Sequence, residues 1–457
     1  MILDSTDTIC ALSTANGMGA IAMIRVSGER AFEIVSSVFS KKIEIQKSHS
    51  AHFGVIKNVT EIIDEVVVTV FKNPASFTGE DVVEIACHGS VFIQQEILKL
   101  LLSKGCRLAK AGEFSMRAFA NGKFDLSQAE AISDLISSTT EASHKLAMQQ
   151  MRGGFSDEIN GLREELVNFA SLIELELDFS EEDVEFADRT QLNELLVRIS
   201  AKLNSLIDSF SFGNAIKNGV PISIIGAPNS GKSTLLNRFL KEEKAIVSNI
   251  AGTTRDIVED EIIIEGIKYR FIDTAGIRDT ENEIEKIGIQ RAIEKAGKSA
   301  IILYLFDSNE DLEKVKREFE LLKSQLTDET ETIDVIWVAN KIDLLEDATK
   351  LNEIDCIKIS AFEGENLEVL TQKIIEITNS KQSQEQQVVV TNVRHFEALS
   401  KAKEAINQVT NALELGIPGD LVAVDIRQSL HFLGEITGEI STDELLGNIF
   451  SKFCIGK

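Results

Sequence analysis

The spacing of hydrophobic residues separates an N-terminal stretch of mixed character from the rest of the chain. Three short runs rich in apolar and β-branched residues predict strands at residues 19–26, 62–71 and 82–87. Apolar residues at helical spacing predict helices at residues 30–39 and 92–102. We therefore expect a mixed α/β domain at residues 1–121.

The next stretch has the periodicity of amphipathic helices. Apolar residues recur at intervals of three and four over residues 126–136, 162–173 and 191–210. The same spacing returns near the end of the chain, over residues 393–415, 419–434 and 441–453. No proline lies between Pro74 and Pro221, so nothing in that stretch prevents long helices. We expect an all-α domain in two parts, residues 122–217 and 381–457.

Between the two helical parts the pattern changes again. Four apolar runs predict strands at residues 220–225, 268–272, 335–339 and 354–359. A polar linker, residues 381–387, follows. We expect an α/β domain at residues 218–380, inserted between the halves of the helical domain. The fold class is thus multidomain, with mixed α/β, all-α and inserted α/β parts.

Composition limits the class of protein without naming a function. The chain has 457 residues, 43% apolar and 26% charged, as expected for two or three globular domains. It contains no run of about 18 uncharged apolar residues, so we expect no membrane span. Its start lacks a basic n-region, so we expect no signal peptide. Five scattered cysteines favour a reducing cytoplasm, and the net charge of −26 disfavours nonspecific binding to nucleic acid.

One stretch indicates phosphate binding. It reads Gly226-Ala227-Pro228-Asn229-Ser230-Gly231-Lys232-Ser233 and lies between a predicted strand and a predicted helix. Its glycines allow successive backbone N–H groups to face a polyphosphate, and the helix N-terminus adds its positive end. Lys232 would reach the β- and γ-phosphates, and the Ser233 hydroxyl would bind Mg²⁺.

Three later motifs specify the nucleotide. Asp273-Thr274-Ala275-Gly276 follows a predicted strand, where the aspartate can hold Mg²⁺ through water. Asn340-Lys341-Ile342-Asp343 places a carboxylate that can accept two hydrogens from a guanine edge, which adenine lacks. Ser360-Ala361, with Phe362, would support the base. In this order the four elements resemble the Ras-like P-loop GTPases, so we expect GTP as the ligand.

Five further stretches carry a closer resemblance. They are Ser-Phe-Thr-Gly-Glu-Asp-Val-Val-Glu (76–84), Gly-Glu-Phe-Ser-Met-Arg-Ala-Phe (112–119), Asn-Gly-Lys-Phe-Asp-Leu (121–126), Ile-Ala-Gly-Thr-Thr-Arg-Asp (250–256) and Phe-Cys-Ile-Gly-Lys (453–457). Over essentially its full length the chain resembles the bacterial tRNA modification GTPase MnmE (TrmE) family.

The resemblance implies a tetrahydrofolate-binding N-terminal domain that dimerises, and a GTPase activated by K⁺. It implies an FAD-dependent partner, MnmG, in a heterotetramer-like complex. Together these would add an aminomethyl or carboxymethylaminomethyl group to C5 of the wobble uridine of certain tRNAs. The folate would be a 5-formyl or methylene derivative.

Hydrolysis needs a substitute for familiar catalytic groups. Ile277 stands where Ras-like enzymes use a glutamine to orient water, and no arginine finger is identifiable. The resemblance assigns K⁺ to Asn229, Ser248, Ile250 and Thr253; the alternative is that this segment is only a mobile switch. It also assigns Mg²⁺ to Ser233 and Thr254, and water orientation to Glu285, which among several nearby acids is otherwise a helix-surface residue.

The complete set of residues expected to contact GTP is listed here: Asn229, Ser230, Gly231, Lys232, Ser233, Thr234, Ser248, Asn249, Ile250, Ala251, Gly252, Thr253, Thr254, Asp273, Thr274, Ala275, Gly276, Asn340, Lys341, Asp343, Ser360, Ala361 and Phe362.

By the same resemblance, Glu84 faces the pterin of the folate, while Arg25, Lys123 and Lys457 contact it or its tail. Each of the four could instead be a surface charge. The segment before Arg25, residues 14–19, departs from the proline- and arginine-bearing segment usual in the family. Cys454 is either a reactive thiol or a buried anchor, and His88 suits a turn better than a catalytic base.

Two other functions stay open from the sequence. The chain could be a regulatory GTPase whose flanking regions only bind partners, for example in ribosome assembly. It could also be a one-carbon transferase that acts on tRNA without MnmG. Measured binding of 5-formyltetrahydrofolate would distinguish a regulatory GTPase from a GTPase that takes part in folate-dependent tRNA modification.

Overall fold

A computed structural model describes residues 7–59, 61–178, 189–242, 260–272, 299–325, 333–345, 348–380, 388–415, 417 and 419–456. The chain forms two compact units. Unit 1 comprises Met1–Ile136, Met148–Leu196 and Lys401–Lys457. Unit 2 comprises Ser137–Ala147 and Val197–Ser400. Each unit contains its own six-stranded sheet.

The sheet of unit 1 is largely antiparallel. Its strands are β1 (Ile9–Leu12), β2 (Ile21–Ser27), β3 (Ser50–Lys57), β4 (Ile62–Phe71), β5 (Val82–His88) and β6 (Arg107–Leu108). Their order is β3-β4-β5-β2-β1-β6, and only the pairing of β1 with β6 is parallel among the described strands.

Alternation along the strands gives this sheet one buried and one more open face. In β4, Val66, Val68 and Val70 are buried, while the residues between them are at least partly exposed. The buried face packs in one core with helices α1 (Ala31–Val38) and α2 (Val91–Ser103). On the other face, Arg25 of β2 and Glu84 of β5 are partly exposed.

Further helices complete unit 1. They are α3 (Glu113–Ala120), α4 (Leu126–Ser137), α6 (Gly154–Asp178), α12 (Gly419–Thr437) and α13 (Asp443–Phe450). Helix α6 packs along α12, and α13 packs on α3 and α4 through Phe450, Leu126 and Phe119. Three more helices are divided between the units, as α4 is at Ser137: α5 (Glu141–Met151), α7 (Arg189–Asn218) and α11 (Val393–Glu414).

The sheet of unit 2 is mostly parallel. Its strands are β7 (Val220–Ile225), β8 (Asp260–Ile264), β9 (Ile267–Phe271), β10 (Ile301–Asp307), β11 (Asp334–Asn340) and β12 (Ile357–Lys358), in the order β12-β11-β10-β7-β9-β8. Only β8 pairs antiparallel among these strands. The unit's helices include α8 (Lys232–Glu242), α9 (Leu312–Gln325) and α10 (Leu367–Ser380).

The parallel arrangement determines where a ligand can bind. Strands β10 and β11 end opposite each other at Asp307 and Asn340, and the neighbouring strand β7 ends at Ile225, opposite Tyr304. In open α/β sheets the carboxyl ends of parallel strands form the ligand-binding edge. The phosphate-loop sequence and the guanine-specific motif both begin at this edge.

The predicted fold class is confirmed, with differences in detail. The run at 354–359 forms only the two-residue strand β12, and the helix predicted at 441–453 ends at Phe450. Strands β1, β3, β6, β8 and β10 were not predicted. The domain boundaries after residues 121, 217 and 380 stay predictions. None of the helices in the described ranges is long and apolar enough to cross a membrane.

Candidate functional site

The phosphate-loop sequence forms the turn between β7 and α8. A Cβ atom at Gly226 would lie 1.9 Å from the carbonyl oxygen of Leu305, and one at Gly231 would lie 2.2 Å from Nδ2 of Asn340. Gly231 also has a φ of +96°, which L side chains rarely adopt. Both glycines are therefore required by neighbouring atoms as well as by the turn.

Lys232 begins α8 and folds its side chain back over the loop. Its Nζ atom donates to the carbonyl oxygens of Gly226 and Ala227, at 2.8 Å each. Burial lowers the pKa of this ammonium group. Both acceptors are uncharged carbonyl oxygens, and no carboxylate in the described part of the chain bonds this half-buried cation. That arrangement suits an ammonium group that donates hydrogen bonds to phosphate oxygens.

Asn340 connects the three loops of the nucleotide site. Its Nδ2 atom donates to the carbonyl oxygen of Ser230 at 2.8 Å, and its Oδ1 atom accepts the amide of Ala361 at 2.9 Å. The residue is 2% exposed. The structure therefore gives Asn340 a positioning role in the predicted site, because both ends of its amide bind protein.

Lys341 and Asp343 follow at the same edge with different surroundings. Lys341 has a φ of +66°, and its Nζ atom lies 2.7 Å from Oδ2 of Asp307 at the end of β10. Burial alone would raise the pKa of Asp307, but bonds from Lys341 and the Asn309 amide hold it below its usual value. Asp343 is exposed in a short 3₁₀ turn.

Some of the predicted site lies outside the described residues. These residues are Ser248, Asn249, Ile250, Ala251, Gly252, Thr253 and Thr254, then Asp273, Thr274, Ala275 and Gly276, then Glu285 and Lys457. Within the described ranges, the phosphate loop, the 340–343 motif and the 360–362 motif do come together. Ser360 is fully buried, whereas Phe362 is 75% exposed.

A second candidate site lies on the open face of the sheet in unit 1. Arg25 and Glu84 are cross-strand partners in β2 and β5. Nη2 and Nε of Arg25 lie 2.8 and 3.0 Å from the same oxygen, Oε1 of Glu84. The guanidinium also lies over the rings of Phe77 and Phe114, 5.1 and 5.7 Å from their centroids.

The structure adds residues to this second site that sequence reasoning missed. Phe77 and Phe114 lie in stretches that carry the family resemblance, but nothing in their sequence shows that both contact Arg25. Lys123 is exposed and donates to the carbonyl oxygen of Pro74 at 3.0 Å. Its stem lies against the loop that carries Phe77, so it is near the site without touching the Arg25–Glu84 pair.

The C-terminal tail lies against strand β1 and the segment before α3. Ile455 forms an antiparallel bridge with Ala111, and the Ser13 hydroxyl donates to the carbonyl oxygen of Gly456 at 3.1 Å. Cys454 is exposed, whereas Phe453 is buried. The alternative that Cys454 is a buried anchor is wrong, because Phe453 fills that role.

Comparison with known proteins decides the family. Residues 8–123 match the family described as GTP-binding protein TrmE N-terminus, and residues 126–454 match the MnmE helical domain. Proteins named tRNA modification GTPase MnmE are 56% identical in Cytophaga hutchinsonii and 53% identical in Flavobacterium psychrophilum. The first covers 100% of this chain and 99% of its own, and the second covers 99% of each. The chain belongs to the MnmE family of tRNA modification GTPases.

Membership in the MnmE family gives the nucleotide site its ligands. A GTPase of this family binds GTP with Mg²⁺, and the donors at the start of α8 suit both. Backbone N–H groups and the Lys232 ammonium suit phosphate oxygens, and the Ser233 hydroxyl is a hard oxygen ligand of the kind Mg²⁺ prefers. The chain is therefore a GTP hydrolase with a tRNA-modification role.

Among solved structures, the chain is similar to an Aquifex aeolicus Era variant bound to GDP and AlF₄⁻. It is 25% identical, spans 40% of this chain and 66% of that chain, and has a TM-score of 0.27. A superposition at that score supports no inference about the fold or the ligand of the MnmE family member described here.

Proposed function

We propose that this chain is a K⁺-activated GTPase that acts with an FAD-dependent partner, MnmG, in tRNA modification. The reaction adds an aminomethyl or carboxymethylaminomethyl group to C5 of the wobble uridine of certain tRNAs, using a folate one-carbon unit. The observation that carries the proposal is the partly exposed Arg25–Glu84 pair between β2 and β5, in the same chain as a GTPase site. A GTPase that only binds partners has no need of such a pair.

The geometry of the unit 1 site suits a reduced folate. Glu84 offers carboxylate oxygens that can accept the ring N–H and the 2-amino group of a pterin. Arg25 and Lys123, with Lys457, supply cations for the carboxylates of the glutamate tail. The partly exposed ring of Phe77 provides an apolar face beside these polar groups, and the buried ring of Phe114 packs against the Arg25 guanidinium. A ligand that is aromatic at one end and anionic at the other needs an apolar face and cations together.

For the nucleotide, we propose the contacts that the motifs indicate. Lys232 and the loop amides bind the phosphates, and Ser233 and Thr254 bind Mg²⁺, with Asp273 acting through water. Asp343 binds the guanine edge, and its exposure in a turn at the sheet edge leaves the carboxylate accessible. Lys341 covers the base with its stem, held in place by Asp307.

K⁺ activation is proposed for the hydrolytic step. Asn229 has a φ of +62° inside the phosphate loop, a conformation that asparagine tolerates better than most residues. Its side-chain oxygen, with the Ser248 and Ile250 carbonyls and the Thr253 hydroxyl, would form the cation site. When bound, K⁺ supplies the positive charge that an arginine finger supplies elsewhere. Glu285 would orient the attacking water.

The cation proposal has a direct test. GTP hydrolysis should be fast in K⁺ and slow in Na⁺, because a cage of oxygens sized for potassium fits sodium poorly. An arginine finger contributes about 10³–10⁵-fold in rate, so even partial replacement of it is measurable. Asn229→Ala should remove the preference. Equal rates in both salts would contradict K⁺ activation and leave the GTPase assignment intact.

The proposal extends to assembly and location. We propose a homodimer through the N-terminal domain, residues 1–121, and a heterotetramer-like complex with MnmG in the cytoplasm. Residues 122–217 and 381–457 form the helical domain of this proposal, and residues 218–380 the GTPase domain. Cross-linking of purified chain alone and with MnmG tests both contacts.

The central test is mass spectrometry of wobble nucleosides after deletion of the gene. Loss of the C5 modification, restored by the parent gene and not by Arg25→Gln, is the expected result. Unchanged nucleosides would favour a regulatory GTPase. Modification by the purified chain without MnmG would instead favour a one-carbon transferase.

A further inference from the structure

An ionic network, buried at Arg117 and Glu113, joins the chain segments that carry Phe77 and Phe114. Arg117 is 2% exposed and donates to three carboxylates: Asp7, Glu80 at 3.2 Å and Glu113 at 3.2 Å. Arg107 reaches Asp7 at 2.6 Å and the same Glu113. Two cations therefore connect three anions that come from separate segments of the chain.

This network joins the two segments that carry the rings over Arg25. Glu80 is three residues after Phe77, and Arg117 is three residues after Phe114. The Arg117–Glu80 ion pair thus joins the loop at 76–81 to helix α3. The same loop and helix carry the two rings that contact the Arg25 guanidinium.

The loop has further bonds to strand β2. The Ser27 hydroxyl donates to Oε2 of Glu80 and lies within hydrogen-bond distance of the Thr78 hydroxyl, each at 2.7 Å. Ser27 ends strand β2, which also holds Arg25 two residues earlier. Glu80 therefore fixes the loop against both α3 and the strand that carries the ligand-binding arginine.

Placement of the two rings affects the orientation of Arg25. A guanidinium is attracted to ring faces within about 6 Å, and its two donors to Glu84 come from one edge of the group. Both rings lie within that distance of the guanidinium, and Glu84 occupies one of its edges, which leaves the other edge to meet a ligand. If the loop moves, Phe77 leaves the guanidinium and this orientation loosens.

We propose that Glu80 and Arg117 are positioning residues for the folate site, which hold Phe77 and Phe114 against Arg25 so that its free edge faces the anionic ligand. This inference rests on the proposed folate-binding function. Neither residue is assigned a contact with the ligand, since Arg117 is fully enclosed by protein groups.

The test measures binding of 5-formyltetrahydrofolate to the full-length chain by calorimetry. Glu80→Gln should weaken binding by about tenfold, within the range of coupling expected for residues in one network. Arg117→Lys should act in the same direction, because it keeps the charge but loses the planar fork that bonds several carboxylates. Binding of a fluorescent GDP analogue should not change in either variant.

A double-mutant cycle separates positioning from general destabilisation. Phe77→Leu keeps an apolar side chain but removes the ring, so Glu80→Gln should cost little more in that background. Additive effects would overturn the proposal. The matched control is Glu33→Gln, which removes a carboxylate from the exposed Arg30–Glu33 pair in the same domain and should leave folate binding unchanged.

The Arg25→Gln variant separates the proposed folate site from the proposed positioning role of Glu80 and Arg117. If this variant loses folate binding while Glu80→Gln and Arg117→Lys bind like the parent, the site stands and the positioning role is wrong. If Arg25→Gln itself binds folate like the parent, the proposed folate site is wrong, and the positioning role fails with it.

Discussion

At the scale of single residues, several side chains in the nucleotide site hold loops instead of facing outward. Asn340 is the clearest case, because its amide binds Ser230 on one side and Ala361 on the other. The Asp307–Lys341 pair acts similarly on the neighbouring turn. We therefore expect affinity for GTP at this site to depend on groups that fix the loops as well as on groups that touch the ligand.

Removal of the Asn340 amide should affect both stability and binding. Asn340→Ala leaves the Ser230 carbonyl and the Ala361 amide without this partner in a buried site, at a cost of about 1–3 kcal/mol for each unsatisfied group. We expect weaker binding of a fluorescent GDP analogue and a lower unfolding temperature. Asn352→Ala, on the surface of the same unit, is the control. Unchanged GDP affinity would contradict the connecting role.

Specificity should change at Asp343. Asp343→Asn converts one acceptor into a donor, which matches the edge of xanthine instead of guanine. Loss of a hydrogen bond to a charged group costs about 1.5–3 kcal/mol, or roughly tenfold or more in affinity for GTP. Competition between GTP and XTP measures the change. If the variant binds GTP as tightly as the parent, the base contact belongs to another residue.

The sequence predicts residue types well and their partners poorly. Lys232, Asn340 and Asp343 are identifiable because a spacing of a few residues encodes each motif. The two hydrogen bonds of the Asn340 side chain cannot be identified from the sequence, since its partners lie in other loops of the fold. Phe77 and Phe114 were missed for the same reason, because local sequence does not show that two distant segments meet on one guanidinium.

At the scale of elements, long and strongly patterned segments were predictable and short ones were not. The apolar runs behind β4, β5, β7 and β11 exceed what a loop would contain. Strand β6 has only two residues, and it forms because β1 provides a partner. Strand β12 is shorter than its apolar run, because only Ile357 and Lys358 pair with β11, and the chain turns at Ser360, whose hydroxyl accepts the amide of Glu363. Pairing with a neighbouring strand therefore determines the length of both β6 and β12.

Helix α3 should be sensitive to acid. Burial alone would raise the pKa of Glu113, but Arg107, the Lys110 amide and the charge of Arg117 together hold that pKa below its ordinary value of 4.5. A carboxylate with a lowered pKa stabilises the fold fully above about 4.5 and loses this contribution as the pH falls through the lowered pKa. The stabilisation by Glu113 is therefore present at neutral pH.

Hydrogen exchange of the peptide that covers α3 measures this effect. After correction for intrinsic rates, the parent should lose protection in α3 as the pH falls below about 4.5. Glu113→Gln should begin with lower protection at neutral pH and show a smaller further loss. An equal loss in both proteins would show that other carboxylates control the acid response of this helix.

At the scale of the whole molecule, described segments near the two ends of the chain meet within unit 1. Ser13 and Gly456 are joined by a hydrogen bond, although almost the entire sequence lies between them. The tail continues from α13, which packs on α3 and α4. Helix α3 therefore contacts the C-terminal region on one side and carries Phe114 and Arg117 toward the candidate folate site on the other.

Removal of the tail should affect folate chemistry and spare nucleotide chemistry. A chain that ends at Phe453 loses the Ile455–Ala111 bridge and the Gly456–Ser13 bond. It also loses Lys457, a proposed cation for the folate. We expect weaker binding of 5-formyltetrahydrofolate and loss of tRNA modification in cells that carry the truncated gene. GTP binding should persist, because the phosphate loop and Asp343 belong to the other compact unit.

A point variant tests the docking of the tail without shortening it. Gly456 has a φ of +94°, and a Cβ atom there would lie 2.2 Å from the carbonyl oxygen of Leu12, so Gly456→Ala should displace the tail. Gly447→Ala is the matched control, since nothing lies within 4 Å of its Cβ position. If Gly456→Ala and the truncation both keep parental folate affinity and modification, the tail has no part in the site. If the truncated protein also fails to bind GTP, the loss of folate binding reflects unfolding, and Gly456→Ala alone decides.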